Sequence, residues 1–210
     1  MLKSSHEEPT PLKIISKEEI SKLPVIHYQG EIVVVNTTKD AEICTQEMML
    51  ETVFGFDTET KPVFVSGKSN KIALIQIAGE NKVWIFKVHE FEIGKLFKKF
   101  LESDIYLKVG VAIKDDVKKI YKDTGVKAGG MFELSTLSKS IGLSECGLRT
   151  LTAKVFGHKL SKKQQTSNWE ISPLSEAQII YAATDAWICR KLYFEMMKIK
   201  TDADIKQQKK

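Results

Sequence analysis

The chain has 210 residues, 42% hydrophobic and 28% charged, the make-up of one ordinary globular domain with a full core. Its net charge of +5 is carried almost wholly by lysine, with Arg149 and Arg190 the only arginines, which fits phosphate contact better than base readout. No apolar run approaches a membrane span, the N-terminal MLKSSHEEPTPLK has no apolar signal core, and three cysteines (Cys44, Cys146, Cys189) without a CxxC argue against a disulfide framework, so the expected setting is intracellular, cytoplasmic or nuclear.

Residues 1–22 are polar, carry Pro9 and Pro11, and read as a loose arm. EIVVVN (31–36) is a strand, and KDAEICTQEMMLE (39–51) a helix with apolar positions at Ile43, Met48 and Leu50. VFGFDTE follows as a strand, and KPVFVSGKSNK, with its Pro and Gly, as a turn-rich connection. IALIQIA (72–78) and KVWIF (82–86), parted by GEN, form a hairpin. FEIGKLFKKFLES (91–103) is an amphipathic helix, YLKVGVAI (106–113) a buried strand, and KDDVKKIYKDTG a helix stopped by Gly125. MFELSTLSKSIG is a short strand leading into a helix, and GLRTLTAKVFG another helix with a glycine stop. A polar loop (158–173) precedes the long final helix (174–200), and TDADIKQQKK reads as frayed. Together these predict an α/β domain over residues 30–200, between an arm (1–29) and a tail (201–210), with a mixed sheet and helices on both faces.

Asp57 and Glu59 stand two apart at the end of a strand, so they share a face and repel. Asp116 lies just inside a helix that follows a buried strand. Tyr181 and Asp185 are four apart on one face of an otherwise apolar helix, where an Asp has poor propensity and a high burial cost. Each has a plainer reading taken singly: an exposed DxE, a core aromatic, a carboxylate bonded to nearby backbone. Four carboxylates in one cleft need a cation, and oxygen ligands favour Mg²⁺ or Mn²⁺ over zinc. Two such ions serve in-line attack on a phosphodiester. The histidines (His6, His27, His89, His158) are scattered and lack ligand spacing.

The ordered set GFDTE, KIALIQIA, VGVAIKDD, FEL, SNW and PLSEAQIIYAATDA resembles the DEDDy 3′–5′ exonucleases of the ribonuclease H-like superfamily, nearest the Werner-type exonuclease domain, with ribonuclease D as a cousin. The resemblance covers residues 30–197 and implies a five-stranded mixed sheet. It implies a two-metal exonuclease that releases nucleoside 5′-monophosphates from a free 3′ end, with DNA favoured and RNA 3′-end trimming the alternative. A catalytically silent nucleic-acid-binding domain of the same fold is the other alternative. It places Asp57, Glu59, Asp116 and Asp185 on Mg²⁺ or Mn²⁺ and Tyr181 beside the attacking water. Asp57 would bridge both ions, Glu59 and Asp185 hold one, and Asp116 the other. Asp115 is left as a surface charge. Candidate nucleic-acid contacts are Thr60, where relatives carry a larger residue, and Lys68, Lys71, Glu133, Lys162 and Lys163.

Overall fold

IALIQIA is buried from end to end, as a strand covered on both faces must be. In the computed structural model, which describes residues 15–63, 69–143 and 147–208, it is β3 (Ile72–Ala78). It lies in one sheet with β1 (Glu31–Val35), β2 (Val53–Thr60), β4 (Lys82–Phe86), β5 (Leu107–Gly110) and β6 (Met131–Glu133). The order is β1-β4-β3-β2-β5-β6. β3 runs antiparallel to β2 and β4, and the remaining pairs are parallel, so the sheet is mixed as expected. It has six strands rather than the five the resemblance implied; the sixth is the three-residue β6, which the MFE reading anticipated.

One face is covered by α2 (Thr38–Met48), α3 (Lys95–Glu102) and α4 (Ile113–Thr124), whose Met48, Phe97, Phe100 and Ile120 pack with Phe54, Phe56, Ile75 and Phe86. The other is covered by α7 (Glu176–Gln208), with Ala182, Ala183 and Ala186 on Leu74, Ala78 and Ile85. On the same side α5 (Leu134–Ser140) and α6 (Leu148–Phe156) send Leu137 and Leu151 against Ile188 and Leu192 of α7.

Four expectations change. Residues 17–22, read as part of a loose arm, form α1 (Lys17–Lys22), because Ser16 and Glu19 cap each other: Ser16 Oγ accepts from the Glu19 amide at 3.1 Å and Glu19 accepts from the Ser16 amide at 2.7 Å. The segment after it is pinned to the body: the Tyr28 amide donates to Thr184 Oγ1 at 3.0 Å and its ring is buried. In α2 the buried positions are Ala41, Thr45 and Met48, while Ile43 and Leu50 are exposed, because the face that meets the sheet follows the 41, 45, 48 spacing. The strand read over 106–113 stops at Gly110, where Ala112 takes a left-handed φ of 60° and turns the chain into α4. The tail continues α7 through residue 208, exposed over 201–206, since it contains no Gly or Pro to break the helix. Cys44 and Cys189 are free thiols, and among the described residues no helix is long and apolar enough to cross a membrane.

Candidate active site

β2 outruns its parallel neighbour. It pairs with β5 only over Val53–Gly55, so Phe56 to Thr60 run on past the last pairing with β5. Gly55, Asp57 and Glu59 share a face by strand alternation, and α7 crosses that face at Gly55. A Cβ on Gly55 would stand 1.9 Å from the Ala186 carbonyl oxygen. This contact carries Asp185 onto the strand: carboxylate oxygens of Asp57, Glu59 and Asp185 all lie within 4.8 Å of one another. Asp116 stands beside this trio and outside it. Its Oδ1 accepts from Thr58 Oγ1 at 2.5 Å, and its charge raises the pKa of both Asp57 and Glu59. Asp115 points outward, its side chain 91% exposed, and pairs with Lys118 at 2.9 Å.

The electrostatics are those of a crowded anionic site. Burial, then Asp185, Glu59 and Asp116, hold the Asp57 carboxyl well above the usual carboxylate range. Burial, then Asp185 and Asp116, push Glu59 up to about 8. Burial raises Asp185 to about 7, against a hydrogen bond from Tyr181 and the charge of Arg149. Burial also raises Asp116, against the Thr58 bond. Oxygen donors without histidine or cysteine in the trio suit hard divalent cations, whose charge would relieve the repulsion.

A pH dependence follows. Glu59 and Asp185 have folded pKa values of about 8 and about 7, above their ordinary 4.5 and 3.8, so the folded chain holds more protons than the unfolded one in between. The stability they contribute is complete below the ordinary values and is lost as pH rises through 7 to 8. In EDTA the melting temperature should fall from pH 6 to pH 8, and Asp185→Asn should flatten that fall. Mn²⁺ should raise it more at pH 8, where no protons need displacing. A Mn²⁺ shift equal at both pH values, read by thermal denaturation, would contradict the site.

Tyr181 sits one turn before Asp185 and donates to it. Burial, then the charges of Asp185, Glu59 and Asp57, push its hydroxyl above its ordinary value, so it stays protonated. The fully buried Trp169 backs its ring at a centroid distance of 5.8 Å. Tyr181 and Asp185 also line a cleft of about 300 Å³ with Ile26, Leu160, Lys163 and Gln164.

Of the other candidates that the structure describes, Lys163 alone lines this cleft; Lys162 is exposed on the same loop. Thr60 ends β2 after a register shift at Glu59/Thr60 and pairs with Ile72, which follows the exposed Lys71. Lys68 lies outside the described residues. Glu133 is engaged by backbone: its carboxylate accepts from the amides of Ala112 and Ile113 at 3.1 Å each and of Ser135 at 3.0 Å. Burial raises its pKa, but these bonds and the Ser135 hydroxyl prevail and hold it below the ordinary value. Its carboxylate thus caps α5 and ties down the turn into α4.

Sequence reasoning passed over Thr58, Gly55 and Arg149. The first two lie inside GFDTE, where the signal was a hydroxyl between two carboxylates and a glycine within a buried strand. Arg149 left only its rarity among 32 basic residues.

The geometry can be set beside known proteins. The bifunctional 3′-5′ exonuclease/ATP-dependent helicase WRN of Mus musculus is 29% identical over 193 residues, covering 87% of this chain and 14% of that protein. A 3′-5′ exonuclease of Arabidopsis thaliana is 28% identical over 195 residues, covering 85% of this chain and 68% of that one. The structure of Escherichia coli RNase D, an exoribonuclease involved in structured RNA processing, shares the fold: the TM-score is 0.73 at 18% identity, over 85% of this chain and 46% of that one. This is the ribonuclease H-like fold expected from the motifs. The 3′-5′ exonuclease family profile matches residues 32–200, a span that holds all four acidic residues and Tyr181, and the chain belongs to that family.

Proposed function

We propose that this chain hydrolyses nucleic acid from a free 3′ end and releases nucleoside 5′-monophosphates, with DNA as its substrate and residues 30–200 as the catalytic unit. The observation that carries the reading is the convergence of Asp57, Glu59 and Asp185 within 4.8 Å. Asp57, central among the acids, would bridge two divalent ions, Mg²⁺ or Mn²⁺. Glu59 and Asp185 would hold one and Asp116 the other. Such a pair of ions supplies Lewis acidity, sharpening an attacking water and steadying the charge on the departing 3′ oxygen. Tyr181 keeps its proton, so its part is to orient the water by hydrogen bonding rather than to act as a base. Thr58 holds the Asp116 carboxylate by its hydrogen bond.

The Werner-type spacing of the motifs supports DNA. The fold shared with an exoribonuclease supports a second reading, RNA 3′-end trimming. The test compares 5′-labelled linear single-stranded DNA, recessed duplex, RNA and circular single-stranded DNA in Mg²⁺, Mn²⁺ and EDTA. Linear DNA should give a descending ladder, the circle should survive, and EDTA should abolish cleavage. Full activity in excess chelator would remove the metals from the mechanism, and rapid cutting of the circle would make the chain an endonuclease. Faster digestion of RNA would select the second reading. No hydrolysis of any substrate, with binding retained, would mark a silent domain.

A further inference from the structure

β5 and β6 end side by side, with Gly110 paired to Glu133. Two residues beyond Gly110 the chain turns through Ala112, whose φ of 60° lies in the left-handed region that a residue with a Cβ rarely occupies. Ala112 is also the N-cap of α4, and it has no side-chain oxygen for the free amides of the first turn. Glu133 meets them from the neighbouring strand. Its Oε2 accepts from the Ile113 amide at 3.1 Å. Its Oε1 accepts from the Ala112 amide at 3.1 Å, the Ser135 amide at 3.0 Å and the Ser135 hydroxyl at 2.7 Å. One carboxylate therefore fastens the starts of α4 and α5 together and holds the left-handed turn in place.

The turn has little room to settle elsewhere. A Cβ on Gly110 would stand 2.5 Å from Ile113 Cγ2 and 2.8 Å from the Phe56 carbonyl oxygen, so the turn is seated against β2 one residue before Asp57. Asp116 follows Ala112 by four residues, about one turn of α4. Its Oδ1 reaches back to β2 at Thr58 Oγ1, 2.5 Å away. That bond fixes the tip of the side chain. The root is fixed by where α4 begins, and Glu133 holds that beginning.

We infer that Glu133 is a positioning residue for Asp116: by binding the amides of Ala112 and Ile113 it sets the start of α4, and so the place where Asp116 offers its carboxylate to a divalent ion. This rests on the reading above that gives Asp116 a metal. The competing role for Glu133 is a nucleic-acid contact.

The test titrates the full chain with Mn²⁺ in the absence of DNA, counting free Mn²⁺ by its EPR signal. Glu133→Ala should weaken the component of binding that Asp116→Asn removes, by about 10- to 100-fold, the usual effect of losing a group that orients a ligand. Added to Asp116→Asn, it should cost little more, because both changes act through one side chain. Glu133→Gln keeps an oxygen for some of these donors but turns an N–H₂ on another, so it should fall between, and it carries the same comparison if Glu133→Ala does not fold. In the Glu133→Gln background, Ala112→Gly should restore part of the loss, since glycine takes a φ of 60° without strain.

A lower melting temperature with unchanged Mn²⁺ affinity would make Glu133 merely structural and overturn the inference. Unchanged Mn²⁺ affinity with a higher DNA concentration for half-saturation would make it a substrate contact and overturn it too. So would a Mn²⁺ loss that adds in full to that of Asp116→Asn. All three leave the exonuclease reading intact. The expected Mn²⁺ pattern in a chain that cleaves no substrate would uphold the inference and sink the exonuclease reading. A wild-type chain that binds no Mn²⁺ would overturn both.

Discussion

Asp57→Ala should reduce exonuclease activity by several orders of magnitude while making the metal-free protein more stable. Asp57 is the acid whose ionisation is opposed by burial and by three others, Asp185, Glu59 and Asp116. Removing it removes the proposed bridge between two ions and also the repulsion it generates. Single-turnover rates should therefore collapse as the melting temperature in EDTA rises, and the Mn²⁺-dependent rise should shrink. The other variants should follow in order. Asp116→Asn should be severe. Tyr181→Phe should cost roughly 10²-fold, the low end for a group that handles or orients a proton, with Mn²⁺ affinity nearly unchanged. Asp115→Asn should be close to wild type, since that side chain is 91% exposed and pairs with the exposed Lys118. A dead Asp115→Asn beside a healthy Asp116→Asn would show that the roles of the two neighbours are reversed.

Gly55→Ala should damage stability and activity together. The added methyl would meet the Ala186 carbonyl oxygen at 1.9 Å, the Ala186 carbonyl carbon at 2.8 Å and the Arg190 amide nitrogen at 3.0 Å. All three are backbone atoms of α7, so no side chain can swing aside. The helix must lift from β2, and overpacking of this kind costs about 1–3 kcal/mol, with the upper end expected against backbone. Asp185 precedes Ala186, so the lift also pulls its carboxylate away from Asp57 and Glu59. The melting temperature should drop, and the rate per folded molecule should fall beyond what unfolding explains. Unchanged melting and full activity would mean that α7 does not seat on the strand at this glycine.

The local periodicities were legible. Asp57 and Glu59 share a face because a strand alternates, and Tyr181 and Asp185 share one because four residues make about a turn of helix. These relations depend on the backbone alone and survive any packing. The motif order then pointed to the family and, through it, to Asp116 rather than Asp115. What the chain did not show locally was decided between segments far apart in sequence. Ile43 and Leu50 looked like core and are exposed, because only docking on the sheet selects which helical stripe is buried. Glu133, a candidate substrate contact, sends its oxygens to amides 20 and 21 residues away at a turn that a left-handed Ala112 creates. Arg149 carried no periodic signal at all. Its buried Nη2, without a hydrogen-bond partner among the described residues, is a product of how α6 packs on α7. Periodicity fixes the direction of a side chain relative to its own element; burial, pairing and an unanswered charge are properties of the neighbours, and the tertiary fold alone chooses those.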